Sequence, residues 1–200
     1  MKSQTIDNWG GVVLCGGKAI RMGGRNKAVI KVGDRKLLDI AISELASSLS
    51  NIALCAGQEK LAPSNIPTLY DREIDGTTAG PAGALLSALD WAKSEKLAGV
   101  ITLPVDTPIL PKTLCTALVA EGGPTYACQK SRNHWLHAAW PIEVLPLVEA
   151  AILENKIFAL HRLHKNIGSR SVLFPFERKG EFHNINTDED LTKAAHLLGV

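Results

Sequence analysis

Gly16, Gly17, Gly23 and Gly24 fall within nine residues, and Lys18, Arg21, Arg25 and Lys27 stand among and just after them. Glycines let backbone N–H groups approach a polyphosphate and point at it, while Arg and Lys supply the fixed positive charge that a transferring phosphoryl group needs. Between Lys18 and Lys36 there are seven cations and one acid, Asp34, where an even spread would place about two cations. Two carboxylates complement this loop. Asp106 follows an apolar run and sits between Pro104 and Pro108, so its backbone is stiff and its side chain is aimed out of a sheet edge, as a magnesium ligand must be. Asp71 ends another short apolar run.

Simpler readings compete with these. A basic, glycine-rich turn also suits a solvated connection, Asp-Thr-Pro also reads as a turn former, and Asn184 and Asn186 also suit the entry to a helix. The loop carries neither the G-x-x-x-x-G-K-[ST] phosphate loop nor the G-x-G-x-x-G dinucleotide fingerprint. His134/His137 and His161/His164 share an H-x-x-H spacing, but neither pair has the Glu of an H-E-x-x-H frame or a cysteine at ligand spacing, so surface or substrate-side histidines are expected.

The elements that would position these groups alternate. Val12–Cys15, Asn51–Gly57, Pro67–Asp71 and Gly99–Leu103 are short apolar runs of the kind that form buried strands. Ala28–Val32 suits a short extended piece, and helical spacing runs from Lys36 to Leu49 and from Pro81 to about Lys96. Another helix is expected to start at Pro111, since a proline's missing N–H costs nothing at the first helical position. Thr125–Cys128 and Leu136–Trp140 suit a strand pair around a turn over Lys130–His134. Helices over Glu143–Glu154 and Phe158–Lys165, a strand over Ser171–Phe174 and a helix over Asp188–Leu198, capped by Thr187, complete the chain. This order predicts an α/β fold, an open and mainly parallel sheet with helices on both faces and ligands at the carboxyl ends of its strands. Gly16-Gly17, Asp71 and Asp106 all fall at such ends.

Two hundred residues with 46% hydrophobic content suit one domain over residues 1–200. The net charge of +2 argues against nucleic acid or a membrane surface as partner. The cysteines at 15, 55, 115 and 128 form no CxxC pair and read as reduced thiols. With no membrane-length apolar run and no leader-like start, the cytoplasm is the expected location.

The run Leu14-Cys15-Gly16-Gly17-Lys18-Ala19-Ile20-Arg21-Met22-Gly23-Gly24-Arg25-Asn26-Lys27 resembles the L-x-G-G-x-x-x-R-M-G-x-x-K signature of nucleotidyltransferases, specifically the molybdenum cofactor guanylyltransferases of the MobA type. Gly80-Pro81-Ala82-Gly83-Ala84-Leu85, Pro104-Val105-Asp106-Thr107-Pro108 and the stretch from Phe182 to Leu191 resemble three further segments of that family, in order. The resemblance implies a three-layer Rossmann-like nucleotidyltransferase fold and transfer of GMP from GTP to the terminal phosphate of molybdopterin, with release of pyrophosphate. It further implies that Leu14, Cys15 and Gly16, with Gly17, line the nucleotide pocket, that Lys27 neutralises the triphosphate and Asp71 contacts the nucleotide, and that Asp106 holds Mg2+. Arg21 is the candidate for stabilising charge at the α-phosphate. Asn184 and Asn186 fall on the pterin-binding, C-terminal part, where Arg132, His134 and His137 lie on the segment opposite and Trp135 is expected to touch the pterin ring. Related cytidylyltransferases resemble L-A-A-G at the loop, so Gly16-Gly17 favours a purine. Cys55 stands where the family places an asparagine that contacts the nucleotide. Other molybdenum cofactor assembly proteins are the expected partners. The alternatives are a nucleotidyltransferase using CTP on the same pterin, one acting on a sugar or polyol phosphate, and a non-catalytic carrier.

Overall fold

A computed structural model describes residues 6–16, 18–19, 25–56 and 65–200. Its centre is a seven-stranded sheet. The strands are β1 (Trp9–Leu14), β2 (Asn51–Cys55), β3 (Thr68–Leu69), β4 (Gly99–Pro104), β5 (Thr125–Gln129), β6 (Arg132–Pro141) and β7 (Arg170–Phe174), in the spatial order β7-β5-β6-β4-β1-β2-β3. β4, β1, β2 and β3 run parallel, β6 is antiparallel to both its neighbours, and β5 and β7 are parallel to each other. The carboxyl ends of every strand except β6 therefore share one edge, and the start of β6 joins them there.

Strand periodicity sorts the core into two layers. Val13 and Cys15 face one cluster and Val12 and Leu14 the other, as successive side chains of a strand must. Helices α1 (Leu37–Ala46), α3 (Leu114–Ala120) and α6 (Asp188–Leu198) contribute to the first cluster; α2 (Pro81–Ser94), α4 (Leu145–Glu149) and α5 (Leu160–Asn166) contribute to the second. The α/β architecture with helices on both faces agrees with the sequence.

Local departures have local causes. Lys27–Val29 forms a 3-10 turn instead of an extended piece, because Asn26 Oδ1 accepts from Ala28 N–H at 2.9 Å and caps it. The extended piece shrinks to Lys31–Val32. The expected strand at Pro67–Asp71 is only two residues long, which frees Asp71 from the ladder. β6 begins at Arg132, and Lys130, with φ +55°, makes the tight turn before it. Helix α3 starts at Leu114, after a turn in which Leu114 N–H donates to Pro111 carbonyl oxygen at 3.0 Å. The helix expected over Glu143–Glu154 is present in pieces, with Ile142–Val144 as a 3-10 turn, α4, and a wider π turn over Ala150–Glu154. Thr187 caps α6 as expected: its hydroxyl accepts from Asp190 N–H and the Asp190 carboxylate accepts from Thr187 N–H.

Candidate active site

The glycine-rich loop leaves the carboxyl end of β1. Lys18–Ala19 pairs antiparallel with Arg25–Asn26, so the chain turns back on itself and returns at Lys27. Gly17 and Arg21 lie outside the described residues. Gly16 is exposed, and a Cβ built on it would meet nothing within 4 Å among the described residues.

β1 and β4 are hydrogen-bonded neighbours to their ends, where Val105 N–H donates to the Leu14 carbonyl at 3.1 Å. This sets Asp106 beside the loop. Lys27 Nζ lies 2.6 Å from Asp106 Oδ2 and donates to Asn186 Oδ1 at 2.7 Å. Asn184 Nδ2 donates to Asp106 Oδ1 at 3.1 Å, Thr107 Oγ1 approaches the same oxygen at 3.4 Å, and Ile185 N–H donates to the Asp106 carbonyl at 2.8 Å. The carboxylate is only 14% exposed and Lys27 12%, so bulk water screens this pair far less than it screens a surface ion pair. Sequence reasoning assigned Asn184 and Asn186 to the pterin side. The fold brings both to the carboxylate–lysine pair.

Asp71 is held from the other direction. Ser87 Oγ on α2 donates to the Tyr70 carbonyl at 2.7 Å, and Arg72 N–H donates to the Gly83 carbonyl at 3.4 Å. A Cβ at Gly83 would lie 2.6 Å from the Arg72 carbonyl oxygen, so glycine is what lets this segment dock on the helix. Burial raises the Asp71 carboxyl above the usual carboxylate range. Its charge reaches Cys15 and Cys55 on the strand ends beside it. Burial first, and Asp71 second, push Cys15 up to about 12 and raise Cys55 as well. Burial thus favours the protonated form of both thiols at neutral pH. Cys55, where a nucleotide-contacting asparagine was expected, is buried, and its Sγ–H is directed at the Ala84 carbonyl of α2 at 3.4 Å.

The second half of the same edge is polar. A cavity of about 340 Å3 opens where β5 ends and β6 starts, with Lys130, Arg132, Lys179 and Lys193 around it and His134 and Phe182 on its wall. Its one carboxylate, Glu181, accepts from Gln129 Nε2 at 3.2 Å. The volume is that of a small-molecule site, and His183 on its wall directly precedes Asn184. Lys130, Lys179 and Lys193 were not singled out from the sequence; they are scattered along it, and only the fold gathers them.

His161 is exposed and His134 lines the cavity, but His137 and His164 depart from the expected surface or substrate-side positions. His164 is buried, stacked on Trp140 at 4.4 Å, with Nδ1 at 2.9 Å from Ser169 Oγ and Nε2 at 2.9 Å from the Trp135 carbonyl. His137 is buried with neither ring nitrogen hydrogen-bonded among the described residues. Burial holds His137 down to about 3, and burial with Arg132 nearby holds His134 down to about 4. Trp135 packs on Tyr126 at 4.5 Å and on His164 at 5.7 Å, in the α5 layer rather than in the cavity. Among the described residues no group of three or more His, Cys, Asp or Glu stands close enough to hold a metal.

Residues 11–169 match the model of the MobA-like NTP transferase domain. The chain belongs to the MobA-like NTP transferase family. Within this family it is 34% identical over 185 residues to a molybdenum cofactor guanylyltransferase of Acidiphilium cryptum, covering 92% of each chain. It is 31% identical over 195 residues to one of Rhodopseudomonas palustris, covering 93% of this chain and 90% of that one. The MobA-like fold is shared with the crystal structure of molybdopterin-guanine dinucleotide biosynthesis protein A from Archaeoglobus fulgidus (TM-score 0.72, 19% identity, 95% of this chain and 98% of that one). It is shared as well with 2-C-methyl-D-erythritol 4-phosphate cytidylyltransferase from Thermus thermophilus (TM-score 0.64, 16% identity, 94% and 98%).

Proposed function

We propose that this chain transfers GMP from GTP to the terminal phosphate of molybdopterin, releasing pyrophosphate and forming the guanine dinucleotide form of the cofactor. The observation that supports it most is the cluster of Lys27, Asp106, Asn184 and Asn186 beside the glycine-rich loop, in a chain whose relatives bear the guanylyltransferase name. The attacking group is already a phosphate oxygen, so the site needs positioning and charge neutralisation rather than a general base. Lys27 neutralises the triphosphate, and Arg21 is assigned to the charge that builds at the α-phosphate. Leu14, Cys15, Gly16 and Gly17 line the nucleotide side through their backbone, and Asp71 contacts the nucleotide. Among the described residues nothing stands over Gly16, which leaves room for a purine.

The residues present fit a magnesium ion. The Asp106 carboxylate is a hard oxygen donor oriented by Asn184 Nδ2, and one or two protein oxygens completed by phosphate and water is how Mg2+ is ordinarily held. When bound, the ion would neutralise phosphate charge. The cationic cavity between β5 and β6 receives the anionic pterin, and Asn184 and Asn186 stand at the border between the two substrates. The N-terminal part then serves the nucleotide and the C-terminal part the pterin, within one domain. No helix among the described residues is long and apolar enough to cross a membrane, and we place the reaction in the cytoplasm, with other cofactor assembly proteins as partners.

The deciding experiment is incubation with molybdopterin, Mg2+ and each nucleoside triphosphate in turn, with pyrophosphate and dinucleotide measured. Turnover with GTP and little with CTP is expected. Preference for CTP, or no product from GTP with active molybdopterin, overturns the assignment.

A further inference from the structure

Phe182 has an unusual backbone for a bulky residue. Its φ is +57°, the left-handed region that side chains other than glycine, Asn and Asp rarely adopt, and such a conformation persists only where the surroundings over-determine it. Here they do. The ring is buried, stacked on His134 with centroids 4.3 Å apart and planes 20° apart, and met edge-on by His137 at 5.1 Å and tilted by Phe174 at 5.7 Å. Phe182 N–H donates to the Ile109 carbonyl at 3.0 Å, which ties the residue to the segment that follows Asp106. On one side Gly180, with φ +90°, lies so close to α6 that a Cβ there would be 2.6 Å from Leu197 Cδ1.

Three of the four residues after Phe182 make the contacts of the transfer centre, while His183 Nε2 lies 2.9 Å from Asp190 Oδ1 at the α6 cap. Asn184 holds Asp106 Oδ1, Ile185 N–H holds the Asp106 carbonyl, and Asn186 accepts from Lys27. At their far end the span is fixed by the α6 cap, where Asp190 Oδ2 accepts from Asn186 N–H and Thr187 N–H, both at 3.0 Å. A short span between two anchors takes its register from both. The cap is an ordinary helix start; the other anchor is an aromatic ring clamped in a strained backbone.

We infer that Phe182 is a positioning residue: its ring, gripped by His134, His137 and Phe174, sets the register in which Asn184 and Asn186 meet Asp106 and Lys27. This rests on the reading of Asp106 and Lys27 as the transfer centre. It also gives His134 and His137 a use, since the proposed transfer assigns neither a step. His134 and Phe182 also wall the cationic cavity, so the two substrate halves meet at this ring stack.

The test is a double-mutant cycle between Phe182→Leu and Asn184→Ala, read in two ways: GTP-dependent turnover, and calorimetric affinity for Mg2+ in the presence of a non-hydrolysable GTP analogue. Each single variant is expected to lose about ten- to a hundredfold in turnover and in Mg2+ affinity, the range for residues that orient a metal ligand. The double variant should be no worse than Asn184→Ala alone, because a residue acting through Asn184 has nothing left to act on. Multiplicative losses in the double variant, or Mg2+ affinity unchanged in Phe182→Leu, overturn the inference. If Phe182→Leu does not fold, His134→Ala opens one face of the stack with Phe182 in place. It should show a smaller loss of the same kind, restored by His134→Phe and absent in the Asn184→Ala background; a loss that persists in that background overturns the inference. Undiminished turnover in Asp106→Ala sinks the underlying reading instead, which keeps the two failures apart.

Discussion

The carboxyl edge of the sheet has two sides with Asp106 between them, and they are built from different materials. On the β1–β2–β3 side the strands are parallel, and Cys15, Cys55 and the α2 contacts form an apolar floor under the single half-buried carboxylate of Asp71. The β6–β5–β7 side contains an antiparallel strand, an aromatic stack with two buried histidines, and a cavity ringed by lysines and an arginine. The first side supplies shape and few charges, which suits a base and ribose. The second supplies positive charge over a wide mouth, which suits a phosphorylated acceptor. Asp106 has hydrogen bonds to both: Lys27 from the loop side and Asn184 from the other.

If that division is right, damage at the junction should cost more than damage on either side. Asp106→Ala is expected to lower turnover about 10²- to 10³-fold, the scale for losing one preorganised electrostatic group, with GTP binding largely kept; product formation and equilibrium binding measured together would check it. Lys27→Ala comes next, with roughly tenfold losses in triphosphate affinity and in rate, seen as a change in both KM and kcat. Asp71→Asn should affect only the nucleotide side, weakening GTP a fewfold and leaving the acceptor KM unchanged.

Asp71→Asn also has a stability signature. Because burial raises the folded carboxyl above its unfolded value near 3.8, ionised Asp71 disfavours the folded state at neutral pH, and this cost fades as pH falls toward 4. The variant should melt slightly higher at pH 7, a small shift because the group is only half-buried, with the difference fading as pH falls toward 4. His137→Leu probes the opposite side with the opposite sign. His137 is neutral in the fold down to about pH 3 but takes a proton near 6.5 when unfolded, so wild-type stability is lost as pH drops below 6.5. The variant should show a shallower acid decline in thermal melts and no loss at pH 7, since two buried nitrogens with no hydrogen-bond partner among the described residues leave with the ring. A steeper acid decline in His137→Leu would mean that the pocket charges, and not the buried ring, govern that side.

Much of the nucleotide side was legible in the chain itself. Short apolar runs that stop at glycine or aspartate mark parallel strands with their ends at a ligand edge, and Val12–Cys15 and Gly99–Asp106 behave in that way. Both signals are local: strand burial shows in consecutive residues, and a stiff Asp between prolines needs no distant partner. The opposite side was far less legible. Lys130, Lys179 and Lys193 are ordinary surface residues in sequence, and His137 and His164 give no sign of being buried, because a histidine's exposure depends on what crosses above it.

Sequence alone determined the alternation of strands and helices, the cationic glycine loop and the position of Asp106 at a strand end, since each follows from residue type and short-range spacing. Tertiary structure decided the partners. Asn184 lies 78 residues from Asp106 and Asn186 lies 159 residues from Lys27, separations over which periodicity carries no information. Cys55 turned into α2, and Phe182 was locked left-handed under two histidines. Side-chain direction at such places is set by the packing of elements that meet only when the sheet is complete.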